Sequence, residues 1–469
     1  MASSRSRSTP SGRSRTGSRS CRGSSPPLRG SELTAGLRRG LGLFPLAAIV
    51  FFNVSGGPYG IEDTVPTLGP GLTLLLLVLT PLLWSAPVAL VMAELASAMP
   101  DEGGYVTWTR QAFGPYWSFQ VGWWSWIDSF VDVAVYPALF VEYLQFWLPA
   151  LAPLERWLLV VAFIVVLTGL NLLGVRPTGH AAVALAVVAL LPVALFTVVA
   201  LFAVRDVPWT PFAAAGGGLE AVGLGLAVMM WNYSGWDTPS TILGEARAPE
   251  RAFRSAMFLT LPILVAAYLL PVVAALASGA LPWGAWTTGA LPAIARTVGG
   301  DWLGHAVAAG AVLSTAGLFM SLLLTNSRLP YVMAREHAMP RWLGAVDSRF
   351  GTPWTAVVLS AALYAAFAVF SFKELIVLNV WLYSLSLLVE LAAFVRLRVA
   401  APDMPRPWRV PGGLAGAIVV VVFPALFCVG AMATAGFTNT IAGVAAALTG
   451  LVAYRVLGRR TMLVEEGRA

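Results

Sequence analysis

Charge is what this sequence has least of. Only 11% of its 469 residues are Asp, Glu, Lys or Arg, whereas 58% are hydrophobic and the mean hydropathy is +0.75. Soluble domains carry about 25% charged residues. So little charge excludes a water-solvated surface over most of the fold and makes lipid its solvent. Cysteine is also scarce: Cys21 and Cys428 are too few for a disulfide framework or a zinc site. His180, His305 and His337 lie far apart in sequence, so no metal centre is expected. The chain has no phosphate-binding glycine loop, no nucleophile–base motif and no nucleotide-binding domain. Those absences leave no basis for catalysis, a cofactor or ATP-driven pumping.

What is present is apolar sequence in long blocks. A helix needs about 20 predominantly apolar residues to cross a hydrocarbon core, and the sequence predicts an all-α polytopic membrane protein with twelve transmembrane helices. The spans fall near residues 41–67, 71–98, 116–148, 154–173, 179–203 and 218–243, then 255–278, 301–328, 353–371, 374–395, 414–434 and 438–456. Residues 1–40 are rich in Ser, Arg, Gly and Pro and read as a disordered basic cytoplasmic tail. The long apolar stretch that follows, with no small-residue cleavage site, does not read as a signal peptide; a start codon inside the tail is the alternative. Residues 457–469 form a second cytoplasmic tail.

The net charge of +7 would suggest a nucleic-acid partner in a soluble protein. Here it reads as the excess of Arg that membrane proteins place in cytoplasmic loops. With both termini inside, 26 of the 30 basic residues fall on the cytoplasmic side, including Arg110, Arg251 and Arg341. Arg156, Arg205, Arg296 and Lys373 remain outside. The expected location is the cell's plasma (inner) membrane, multi-pass.

Two spans cannot be ordinary helices. The first contains Ser55-Gly56-Gly57-Pro58-Tyr59-Gly60, and the sixth contains Tyr233-Ser234-Gly235-Trp236-Asp237-Thr238-Pro239. Gly and Pro interrupt the helical ladder, and the freed backbone groups cannot face lipid. The breaks open two successive sets of five spans, which points to an inverted-repeat transporter with its site at the breaks. The halves are 41–203 (spans 1–5) and 218–397 (spans 6–10), with 414–456 as peripheral spans 11 and 12. Packing kinks are the bland alternative.

Exposed helix ends suit charged ligands. The amides of Ser55, Gly56 and Gly57 suit a carboxylate. Asn232, Tyr233, Trp236 and Asp237 can meet a cation or an apolar side chain. Carboxylates at mid-bilayer are costly and therefore informative. Glu62, Asp132 and Asp237 lie in spans 1, 3 and 6 and are the candidates for proton coupling or for a cation partner. Asp128 shares a helix face with Asp132, and Tyr136 follows one turn later. Glu142, Glu220 and Glu390 read as interfacial or packing acids.

Several stretches resemble amino acid–polyamine–organocation permeases: Ala93-Glu94-Leu95 to Pro100, and Gly103-Gly104-Tyr105 to Trp108. Four features are similar to the polyamine-uptake branch. They are Ser55 to Pro58 with Gly60 to Asp63, Asp132 with Tyr136-Pro137, Trp231-Asn232 with Trp236-Asp237 and Gly244-Glu245, and Tyr383 with Glu390 to Arg396. The resemblance covers about residues 40–412. It implies a LeuT-type 5+5 inverted repeat with discontinuous helices 1 and 6, alternating access, and proton-coupled uptake or exchange. It adds Tyr383 to the candidate substrate residues.

Span 8 departs from the polyamine pattern. Ser321 to Arg328, with Leu and Asn where that branch carries acids, resembles the light subunits of amino-acid transporters instead, as do Arg335-Glu336 and Pro340. The span-5 lysine of some proton-coupled relatives has no counterpart in 179–203. An amino acid is therefore the expected substrate and a polyamine the alternative, with H+ as the expected coupling ion. No counterpart of the heavy-chain cysteine is seen, so no obligatory protein partner is expected. A transporter-derived receptor would want a folded cytoplasmic domain, and a channel a continuous polar lining; neither is evident.

Overall fold

The computed structural model describes residues 37–215, 218–369 and 372–457. The tail at 1–36, the residues after 457 and the side chain of Glu220 lie outside the described part. Among the described residues the chain is helical, and one isolated bridge between Leu41 and Ala246 supplies the β pairing.

In chain order the helices are α1 (Leu43–Val54), α2 (Thr64–Leu68), α3 (Pro70–Ala98), α4 (Tyr105–Phe113), α5 (Pro115–Asp132) and α6 (Val135–Leu144). They continue with α7 (Pro153–Leu172), α8 (Val175–Leu201), α9 (Leu219–Tyr233), α10 (Pro249–Ser278), α11 (Ala290–Gly299) and α12 (Asp301–Asn326). The last are α13 (Arg328–Arg335), α14 (Trp354–Phe367), α15 (Phe372–Ala400), α16 (Gly413–Thr434) and α17 (Phe437–Leu457). Among the described residues seven helical segments are long and apolar enough to cross a membrane: α3, α7, α8, α10, α12 run on through α13, α16 and α17. The expected spans 1, 3 and 6 are interrupted instead, and span 9 is the short apolar helix α14.

Burial ranks these helices. Within its most apolar window the α12–α13 segment is 78% buried, against 22% for α16 and 11% for α17. The eighth span is thus the axis of the bundle, and the last two lie at its edge. Against α12 pack α8, α11 and α6, while α1 lies against α10 and α8.

Both expected breaks are present, and local chemistry accounts for each. Helix α1 stops at Val54, where Ser55 is extended and Gly57 and Gly60 take φ values of +100° and +83°. Helix α9 stops at Tyr233, Gly235 has φ +90°, and the chain resumes as a 3₁₀ turn over Thr238–Glu245. Such positive φ values favour glycine. A side chain at Gly235 would also collide with the Asn53 carbonyl, so the two breaks touch through their backbones.

A third break was not anticipated. The expected continuous span at 116–148 is divided into α5 and α6 by a turn at residues 133–134. Pro137 explains it. Proline has no N–H to return to the carbonyl four residues earlier, which is Val133; that oxygen accepts from the Tyr136 amide at 3.4 Å instead. The interruption leaves Asp132 at the end of a helix.

Candidate functional site

Freed backbone groups at the breaks have to find partners away from water, and those partners draw distant helices together. In the first break the Gly57 amide donates to Ser55 Oγ at 3.0 Å, and Ser314 of α12 donates to the Gly56 carbonyl. The Gly60 amide is shared by Tyr143 Oη and a Glu62 carboxylate oxygen, both at 2.8 Å. In the sixth span the Tyr233 carbonyl accepts from Ser85 and Trp236, and the Asn232 carbonyl accepts from Tyr268. The Gly235 amide donates to Tyr383 Oη at 3.1 Å.

Between the breaks lies a small cavity. Asn53 and Val54 of α1 line it, with Asp128 and Asp132 of α5, Tyr136 of α6, and Trp231, Ser234, Gly235 and Asp237 of the sixth span. Tyr105, Leu322, Asn326, Asn379 and Tyr383 close the remaining walls. Three carboxylates therefore converge on one chamber, and among the described lining residues there is no Arg, Lys or His. Each acid is held by neutral donors. Asn379 Nδ2 donates to Asp128 at 3.2 Å, and Tyr383 Oη donates to Asp237 at 2.7 Å. Trp231 Nε1 reaches Asp132 at 3.0 Å, with Tyr136 Oη at 3.4 Å.

Those last two rings are stacked, with centroids 6.0 Å apart and planes 18° from parallel. They form the wall between this cavity and a second, smaller one. The second chamber carries hydroxyls and amides rather than acids: Ser55, Gly56, Asn232, Tyr268, Ser314 and Thr315.

Sequence-derived candidates divide between these places. Asp132, Tyr136, Asp237 and Tyr383 line the acidic cavity, and Ser55, Gly56 and Asn232 line the second. Gly57, Tyr233 and Trp236 line neither. The Tyr233 hydroxyl donates to the Leu77 carbonyl, and the Trp236 indole turns back under its own helix end. Glu62 also sits apart: fully buried, it accepts from Gly60 and Tyr143, so its carboxylate ties the first break to α6. Asp128 and Asn379 were not singled out as site residues. The four-residue spacing of Asp128 from Asp132 was the available signal; Asn379, 251 residues from its partner, had none.

On the side of the Arg-rich loops, other buried acids are paired with guanidinium groups. Arg328 donates to Glu245 at 2.8 Å, with both side chains essentially unexposed. Arg398 grips both oxygens of Glu94, and Arg406 adds a contact at 3.3 Å. Beside the Glu245 pair, in the loop between α3 and α4, Glu102 is only 3% exposed. Burial, and then the Glu245 charge, hold its carboxyl well above the usual carboxylate range.

Comparison with known proteins gives this geometry a context. The profile of a family described as amino acid permease matches residues 41–453. The chain is 36% identical over 419 residues to polyamine transporter PUT1 of Oryza sativa subsp. japonica, covering 88% of this chain and 77% of that protein. It is 34% identical over 411 residues to polyamine transporter RMV1 of Arabidopsis thaliana, covering 87% and 84%. A more distant similarity, 26% over 456 residues, covers 90% of this chain and 94% of branched-chain amino acid permease BcaP of Bacillus subtilis (strain 168).

Proposed function

Since the chain belongs to the amino acid permease family and is a multi-pass secondary transporter rather than an enzyme, we propose that its substrate is a small organic polycation of the polyamine type. The observation that carries this reading is the convergence of Asp128, Asp132 and Asp237 on one cavity with no basic side chain among the described lining residues. Three carboxylates satisfied only by neutral donors leave negative charge uncompensated. An ammonium group entering the cavity makes charge-assisted hydrogen bonds worth about 1.5–3 kcal/mol each. Tyr105, Tyr136, Trp231 and Tyr383 supply faces for the methylenes and for cation–π contact.

This reverses the order of substrates that span 8 suggests. Leu322 and Asn326, neither of them an acid, are what α12 offers the cavity. Asp128 and Asp237 supply acids from other spans. The break amides also weigh against a carboxylate ligand, because those of Gly57 and Gly60 already have acceptors inside the protein. One observation favours an amino acid as the second reading: the uncharged second cavity could house a neutral substrate end beyond the Tyr136–Trp231 wall.

The reading further includes alternating access of two inverted five-span repeats in a twelve-span bundle of the LeuT type, proton coupling, and a plasma-membrane location with both termini in the cytoplasm. It needs no obligatory protein partner. The two touching breaks and the peripheral placement of α16 and α17 support the architecture. Right-side-out vesicles test both parts. Saturable uptake of labelled spermidine or putrescine, not displaced by leucine, is expected. Saturable leucine uptake that ignores spermidine would move the assignment to an amino acid. In the same vesicles an impermeant thiol reagent should leave cysteines placed beside Arg110, Arg251 and Arg341 unlabelled; labelling at any of them would overturn the orientation.

A further inference from the structure

Helix α15 presents a polar stripe. Asn379, Tyr383 and Glu390 follow one another at four and seven residues, a spacing that keeps them on one face. Asn379 holds Asp128 and Tyr383 holds Asp237. The third member has no such task. Glu390 is 1% exposed, and among the described residues neither of its carboxylate oxygens meets a hydrogen-bond donor.

Glu102, in the α3–α4 loop beside the Glu245–Arg328 pair, shares that lack, and the remaining acids buried in or beside the helices do not. Glu62, Asp128, Asp132 and Asp237 each accept from neutral donors, and Glu94 and Glu245 are gripped by arginines. The titratable groups near enough for charge to be felt between them and Glu390 are the Asp237 carboxylate, the phenols of Tyr105 and Tyr383, and the Cys428 thiol of α16. None is a cation. The Trp84 ring lies 6.3 Å from Tyr383 and 6.0 Å from Phe427, and its indole N–H has no acceptor among the described residues.

Ten residues of helix, about 15 Å, separate Glu390 from the end of α15 at Ala400, and about 10 Å separates it from Tyr383. It therefore stands between the substrate cavity and the Arg-rich side. An unpaired charge at such depth is costly, and the partner its surroundings do not supply is a proton.

We propose that Glu390 binds and releases the coupled proton, with Tyr383 and Asp237 linking it to the substrate cavity. This rests on the transporter reading above. One O–H bond forms on the Glu390 carboxylate when the proton enters, and the same bond breaks when it leaves. Tyr383 donates to Asp237 in the cavity and shares a face of α15 with Glu390, so filling either site changes the affinity of the other, and the coupling is reciprocal.

The test uses the full chain in proteoliposomes with labelled spermidine and leucine. Exchange at equal pH on both sides is compared with net flux driven by a pH gradient. In the wild-type protein the gradient should raise net flux at least about tenfold. In Glu390→Gln exchange should stay within about twofold of wild type while the gradient loses its effect, and Glu390→Asp should recover part of the response. A Glu390→Gln protein that follows the gradient as the wild type does would overturn the proposal. So would loss of exchange in both variants, which would make the side chain structural. Absence of exchange by the wild-type protein for both compounds would sink the transport reading itself and the proposal with it.

Discussion

The cavity acids and the acids near the Arg-rich loops are all carboxylates inside the helix bundle, Asp132 half-buried and the others buried, and they differ in what holds them. Asp128, Asp132 and Asp237 are held by an amide, an indole and two phenols. Glu94 and Glu245 are held by guanidinium groups. A carboxylate neutralised by arginine is already satisfied and serves the fold. One held by neutral donors keeps its charge available for a ligand. On the proposed reading neither burial nor a neutral partner alone marks a substrate acid, since Glu62 has both and lines neither cavity; a place on the cavity wall is needed as well.

The sharpest way to break that contrast is Asp132→Asn. Asparagine keeps the size and the Oδ1 acceptor for Trp231 and Tyr136, so the stacked wall should persist. The lost charge should not be replaceable. Removing one member of a buried charge contact costs about 3–5 kcal/mol, so spermidine binding should weaken about 100-fold or more while thermal stability stays close to wild type. Unchanged uptake with unchanged pH dependence would make Asp132 structural and shift the role to Asp128 or Asp237.

Glu94→Gln probes the other side. It leaves Arg398 and Arg406 buried around a neutral group, and the expected loss is about 3–5 kcal/mol of stability, read as a large fall in the unfolding temperature. Arg398 also donates to the carbonyls of Val410 and Gly413, so the loop that leads into α16 should loosen with it. Protein that remains folded should bind substrate with its original affinity. A weakened affinity at unchanged stability would erase the distinction between the two sets.

Much of this was legible in the sequence, for definable reasons. The breaks at Gly56-Gly57-Pro58 and Gly235 were visible because glycine and proline act on their own backbone. Asp132 and Asp237 were visible because a carboxylate in an apolar run has to be explained. What could not be read was which way a side chain turns. Trp236 and Tyr233 carry the right chemistry beside the break, yet they satisfy backbone carbonyls and line neither cavity. Glu390 reads as a packing acid in the sequence, and its want of a hydrogen-bond donor is a property of the packed helices that no local signal carries. The break after Asp132 was legible in principle, since Pro137 announces it, but the apolar run concealed it.

The smallest expected effect concerns Glu102, which lies in the α3–α4 loop outside the membrane-spanning helices and belongs to neither set cleanly. It sits beside the Glu245–Arg328 pair, two carboxylates to one guanidinium. Burial and the Glu245 charge raise its folded-state proton affinity above that of the unfolded chain. The folded state then keeps a proton that the unfolded state has released, so stability falls as pH rises from the ordinary carboxylate range through the raised folded value. Glu102→Gln removes that dependence, because the amide is neutral throughout. The variant should match wild type in acid and melt a few degrees higher at pH 8, with the gap opening steadily across the interval in thermal scans. A variant that is less stable than wild type at pH 8 would mean that Arg328 uses the ionised Glu102 as a second partner. The loop acids would then form a single ion cluster around Arg328, and Glu102 would join the arginine-held set.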